Sequence, residues 1–190
     1  MKKLFAYGGI AASIVLIAFG AGAIGLGVWG VNEVRDDLPR EQIVGGDDEA
    51  FQAQGIVGVK IDTGSEAKKF ATVMREHTLA ATDGLTYAQM GRFLDADGNQ
   101  TSDEKQAAIG PNGRPVDNPL RQMWVTETAL TTALNTAFFA ERVAVFSIVM
   151  GSALLLTGIG FLVLTLGGAL GVVTFPRRRQ VPTGAPAATS

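Results

Sequence analysis

The 190-residue sequence contains no cysteine. That excludes disulfides, thiolate metal sites, a cysteine nucleophile and a lipidated N-terminal cysteine. It has one histidine, His77, so a paired-histidine metal cluster cannot be built from one chain. Neither a serine-elbow motif nor H-E-x-x-H occurs. Charge is scarce: 18% of residues are charged, against roughly 25% in soluble domains. The net charge is −2, which gives no case for nucleic-acid binding.

The missing charge is missing in two places. Leu4 to Asn32 holds no ionisable group except the Tyr7 phenol, and Val143 to Phe175 holds none at all. A membrane-spanning helix needs roughly 20 apolar residues, and a charge at mid-membrane costs about 2.5–3.5 kcal/mol. Both blocks therefore read as spans. The segment between them holds 11 basic and 18 acidic residues, a net of −7. Lys2 and Lys3 precede the first block, and Arg177, Arg178 and Arg179 follow the second. These five cations act as topology anchors under the positive-inside bias. They put both termini in the cytoplasm and the middle segment outside the cell membrane.

The expected fold is an all-α membrane protein, an antiparallel two-helix transmembrane hairpin carrying a mainly helical extracytoplasmic domain. Its divisions are a cytoplasmic N-terminus (1–3), a first span (4–32), the outer domain (33–142), a second span (143–175) and a disordered cytoplasmic tail (176–190). Ala21-Gly22-Ala23 resembles a signal-peptidase site, but the apolar run continues past it to Val31, which favours an anchor over a cleaved leader.

Gly20-Ala21-Gly22-Ala23-Ile24-Gly25 matches the dinucleotide fingerprint G-x-G-x-x-G. That motif needs a strand before it and a βα unit around it; here the apolar run is too long for a strand, and no alternating β–α pattern follows. Small residues in membrane helices instead let helices approach closely. The pairs Ala18/Gly22, Ala21/Gly25, Ala23/Gly27 and Gly167/Gly171 are spaced for that packing, within the hairpin or between chains.

In the middle segment, Pro39 and Gly45-Gly46 break periodicity, and Gln54–Asp62 could form a short strand without an obvious partner. Thr63 with Glu66 forms a capping box and predicts a helix over 64–81, left through Gly84. Thr86 with Gln89 repeats the signal and predicts a short helix to about residue 94, and Thr101 with Glu104 a short turn. Three prolines and two glycines between Gly110 and Pro119 predict a loop. Beyond it, Leu120, Met123, Trp124, Glu127, Leu130, Leu134 and Phe138 keep helical spacing. No breaker separates them from the second span, so one continuous helix from about 120 to 173 is expected.

Asp95-Ala96-Asp97-Gly98-Asn99 resembles the start of a calcium loop. Asp95, Asp97 and Asn99 would fill positions 1, 3 and 5, and Asp103 position 9. Position 6 is Gln100 instead of glycine, and position 12 is Gln106 instead of the bidentate glutamate. The alternative is an acidic, solvated turn. For His77 the sequence neighbours are Glu76, which points away on a helix, and Asp83 near the helix end. A structural or solvated histidine is the plainer reading.

Ile61–Ala67, Arg75–Leu79, Gly84–Ala88 and Trp124–Asn135 resemble a group of actinobacterial two-span membrane proteins of unknown function, often labelled aromatic ring-opening dioxygenases. The resemblance implies the architecture. The labelled chemistry would need a non-haem iron site of two histidines and a carboxylate, and one histidine cannot supply it. The sequence thus points to a non-enzymatic membrane protein without a cofactor. Its expected partners are the lipid bilayer and either another protein or a second copy. A transport-type or channel-type assembly is the alternative, with only Ser13, Ser147, Ser152, Thr157 and Thr165 as polar groups in the spans.

Overall fold

The computed structural model describes residues 2–167. The fold is mostly helical. Its elements are α1 (Lys2–Asp37), a 3₁₀ turn (Leu38–Glu41), α2 (Glu49–Gln54), α3 (Gly64–Ala81), a hairpin of β1 (Phe93–Leu94) with β2 (Gln100–Thr101), and α4 (Pro119–Leu166). Both α1 and α4 contain a stretch long and apolar enough to cross a membrane. At ~1.5 Å per residue, α1 spans about 54 Å and α4 about 72 Å, more than the ~30 Å of a hydrocarbon core. Lys2 and Lys3 fall in the first turn of α1. Arg177, Arg178, Arg179 and Gly171 lie outside the described residues, as does the expected end of the last helix near 173.

The chain divides into two compact units. One comprises the described residues up to Ala23 together with those from Met150 onward; the other runs Ile24–Val149.

In the first unit the two helices approach through small residues. Gly20 lies so close to α4 that a Cβ there would stand 2.6 Å from the Leu155 nitrogen and 2.7 Å from the Gly151 oxygen. A Cβ on Gly158 would meet the Ile17 nitrogen at 3.0 Å, and one on Gly9 would meet the Thr165 hydroxyl at 2.8 Å. Ser13 and Thr165 are fully buried. Each hydroxyl donates to its own helix, to the carbonyls of Gly9 and Phe161, both at 2.7 Å. No polar atom is thereby left unpaired in an apolar setting.

The buried positions differ from the fourfold pairs read in the sequence. On α1 they are Ser13, Gly20 and Gly27, and on the apolar part of α4 Ala144, Gly151, Gly158 and Thr165. Both series repeat every seven residues, the spacing that keeps a seam facing its partner when two helices supercoil. Of the expected pairs, Gly27 is buried and Ala23 half-buried, whereas Ala18, Ala21, Gly22 and Gly25 are exposed. Nothing lies within 4 Å of where a Cβ on Gly22 or Gly25 would stand. A Cβ on Gly167 would meet only the Val163 carbonyl of its own helix.

The second unit has an ordinary hydrophobic core. Leu38, Phe51, Ile56, Ile61, Ala67, Ala71, Val73 and Leu134 form it, drawn from the 3₁₀ turn, α2, the α2–α3 connection, α3 and α4. The capping box read in the sequence is present at the start of α3. The Glu66 amide donates to the Thr63 hydroxyl (3.3 Å), and the Thr63 amide to the Glu66 carboxylate (3.0 Å). Gly64 sits against α4, where a Cβ would lie 2.9 Å from the Phe138 Cα. Around it, Lys68 Nζ donates to Asn135 (2.9 Å), Arg142 to the Ser65 hydroxyl (2.7 Å), and Arg35 pairs with the buried Glu141 at 3.5 Å. Gly84 ends the helix as expected, at φ +76°, its amide donating to the Leu79 carbonyl.

Three local readings are corrected. The 54–62 stretch makes a single antiparallel bridge, Lys60 to Val44, because Gln54 closes α2 and Gly55 and Gly58 turn the chain at positive φ. The helix expected from Thr86 does not form. The Thr86 hydroxyl donates to the Gln89 side chain (2.8 Å) instead of accepting the Gln89 amide, so the capping box is incomplete. Only one turn results, and Phe93–Leu94 are extended, paired with Gln100–Thr101. Finally, residues 110–118 are a stitched loop. Val116 donates to Ala108 and Asn118 to Arg92, with bridges Ile109–Pro115 and Phe93–Asp117.

Candidate functional site

Asn118 starts α4 and ties it to the preceding loops. It is 3% exposed. Its side-chain oxygen accepts from the Leu120 amide (3.0 Å), its side-chain nitrogen donates to the Gly91 carbonyl (2.9 Å), and its own amide donates to Arg92. Pro119 follows at the first helical position, where its lack of an N–H costs nothing. One turn on, Arg121 is fixed from two directions. Its Nη1 donates to the Met90 carbonyl at 2.9 Å, and its guanidinium stacks 3.9 Å from the Tyr87 ring centre. Trp124 is buried; its indole N–H donates to the Leu85 carbonyl (3.0 Å), and the Arg75 guanidinium lies 5.2 Å from its ring.

Two concavities open at this helix start. One, of about 440 Å³, is lined by Tyr87, Arg92, Phe93, Asp117, Asn118, Pro119, Arg121, Gln122 and Val125. The other, of about 530 Å³, is lined by Tyr87, Trp124, Val125, Thr128, Ala129 and Thr132. They share Tyr87 and Val125. The first holds two arginines, one aspartate and aromatic rings, and the second is apolar with the hydroxyls of Thr128 and Thr132 and the Tyr87 phenol. The sequence reading found the helix here but not the site, because Tyr87, Arg92 and Arg121 are distant in sequence and meet only through the loop stitching.

His77 has a partner that sequence spacing could not reveal. Its Nε2 lies 3.1 Å from the Asp48 carboxylate. Asp48 caps α2, its other oxygen accepting from the Ala50 amide (2.9 Å) and the Phe51 amide (3.3 Å). Local desolvation pushes its carboxyl up, but the Phe51 amide, the His77 ring and the Ala50 amide outweigh it and hold it below the ordinary 3.8. The Phe51 ring stands edge-on to His77 at 5.6 Å. A third concavity of about 440 Å³ adjoins, lined by Asp48, Glu49, Ala50, Ala53, Glu76, His77 and Ala80. Its lining offers carboxylates and one imidazole, and the His77–Asp48 contact ties α3 to the cap of α2.

The 95–99 stretch is the tip of the β1–β2 hairpin. The Asp95 carboxylate accepts from the amides of Asp97 (2.9 Å) and Asn99 (2.8 Å) and from the Asn99 side chain (3.3 Å). These bonds, the Asn99 amide foremost, hold its carboxyl below the ordinary 3.8. Asp103 instead accepts from the Lys105 amide. Among the described residues no group of three or more His, Asp or Glu side chains is placed to hold a metal ion. The arrangement is that of an Asx turn closing a hairpin.

No protein-family profile, curated protein or solved structure matches the chain.

Proposed function

We propose that the chain is an integral membrane protein in which α1 and α4 form an antiparallel transmembrane hairpin that anchors a small domain outside the cell membrane. The domain acts as a structural or interaction module without enzymatic activity, engaging a protein partner or a second copy. Both termini lie in the cytoplasm, in line with the five terminal cations.

One observation carries this reading: where the long helices are apolar, their large side chains face outward. Tyr7 and Phe19 are each 71% exposed, Leu156 69% and Val163 63%. An apolar surface of that extent is untenable in water and suits lipid. The 24–149 unit instead encloses its own core and carries the charge. The hydroxyls of Ser13, Thr157 and Thr165 bond to carbonyls of their own helices, which leaves them unsuited to line a polar path. Alkaline extraction followed by native mass spectrometry tests the proposal. Retention in the membrane pellet with a co-purifying protein or a dimer is expected. Release into the supernatant would overturn the anchoring, and a monomer alone would overturn the interaction role.

A further inference from the structure

We propose that the two concavities at the start of α4 form one site for a small amphipathic anion, a carboxylate or phosphate monoester on an aliphatic chain. The inference concerns the 24–149 unit alone and stands whether or not the domain lies outside a membrane.

The head-group end is built on Arg92 and Arg121. Among the described residues neither guanidinium has a carboxylate oxygen within 4.0 Å, although their segment carries a net −7. Asp117 lines the same concavity. With Asp117 offsetting one of the two guanidiniums, one positive charge is left over in this concavity, and an anion there would answer it through charge-assisted hydrogen bonds. Arg121 is already immobilised by Met90 and Tyr87, so little side-chain entropy remains to be lost on binding.

The chain end is the adjoining groove. Tyr87 and Val125 belong to both concavities and stay 44% and 48% exposed. Beyond them Trp124 and Ala129 supply an apolar wall. From Arg121 to Thr132 the helix advances about 16 Å, enough for an eight-carbon chain behind its head group. Each volume lies within the range usual for small-molecule sites, roughly 300–1,000 Å³. A purely apolar occupant would leave both guanidiniums unused, and an inorganic anion would leave the groove empty.

The test uses the full chain in phosphatidylcholine nanodiscs. Trp29→Phe leaves Trp124 as the sole tryptophan reporter. Octanoate and octyl phosphate are titrated, with inorganic phosphate and octanol as head-only and chain-only controls. Saturable quenching or enhancement by an octyl anion is expected at millimolar concentration or below. Arg92→Gln, an exposed side chain, should weaken it about tenfold, as loss of one charged hydrogen bond implies. Ala129→Leu should weaken the octyl anions and spare inorganic phosphate. Whether octanoate or octyl phosphate binds more tightly assigns the head group as carboxylate or phosphate. Unchanged affinity in Arg92→Gln, octanol matching the octyl anions, or an unsaturable signal from bilayer partitioning would each overturn the proposal. Arg121→Gln is checked by circular dichroism first; if it misfolds, Arg92→Gln decides alone.

Discussion

The two halves of α4 are packed by different means. From Ala144 onward its buried positions are Ala144, Gly151, Gly158 and Thr165, and the contact is close approach through small residues. From Leu120 to Glu141 they are Trp124, Glu127, Leu134 and Glu141, and the contact is made by large side chains and paired polar groups. The difference follows from the solvent each half is suited to. In lipid, burying a leucine gains little, so close approach through small residues supplies the attraction. In water, apolar burial at roughly 25 cal/mol/Å² dominates, and the large residues turn inward. One helix thus obeys two packing rules.

That contrast can be broken at either end. Leu134→Ala should have the largest effect, about 2–5 kcal/mol for an emptied core position. Hydrogen exchange should show faster α3 amides, with the amides of 8–23 unchanged. Gly20→Val should cost about 1–3 kcal/mol by overpacking and act only in the other unit. The absence of native cysteine makes this measurable: the disulfide yield of a Gly9→Cys/Thr165→Cys pair should fall, while the α3 exchange rates hold. Gly22→Val, at an open position, should leave the yield unchanged. Thr63→Ala removes one cap and should cost about 1 kcal/mol, read as a lower urea midpoint for the 24–149 unit.

The smallest effect is that of pH. Asp48 and Glu66 both sit below their ordinary values of 3.8 and 4.5. For Glu66 desolvation pushes the carboxyl up, and bonds from the Asp62 amide and from Thr63 more than reverse it. A carboxyl lowered on folding contributes stability above its unfolded value and loses it as pH falls through the folded one. The 24–149 unit should therefore hold its stability down to about pH 5 and lose a little below 4. The packing of Gly8–Ala23 against Met150–Gly167 should not respond, since neither stretch contains a titratable side chain.

What the sequence made legible was local. The Thr63–Glu66 box names its own partners three residues apart, so the start of α3 could be placed to the residue. Two long runs without charge gave α1 and α4, and the unbroken spacing after Leu120 gave their continuity with the second span. What stayed hidden depended on distant segments meeting. His77 is held by Asp48 across two helices. Gly45 is required because Ile56 O would lie 1.8 Å from a Cβ there. Phe93–Leu94 become strand only because Gln100–Thr101 return beside them. The small-residue pairs were visible, but their spacing of four named one face, and the seam repeating every seven lies mostly on another. Only Gly27, with half-buried Ala23, belongs to both. The site at the start of α4 was invisible for the same reason as His77–Asp48: its arginines, Tyr87 and Trp124 are gathered by the stitched 85–118 loops.

The central proposal, two packing rules because the apolar stretches of α1 and α4 lie in lipid and residues 33–142 outside the cell, is tested most directly by single-cysteine labelling in intact cells. Asp97→Cys should react with a membrane-impermeant maleimide, and Lys3→Cys should react only after permeabilisation. Protection of Asp97→Cys until the membrane is opened, or recovery of the chain in the soluble fraction, would contradict it.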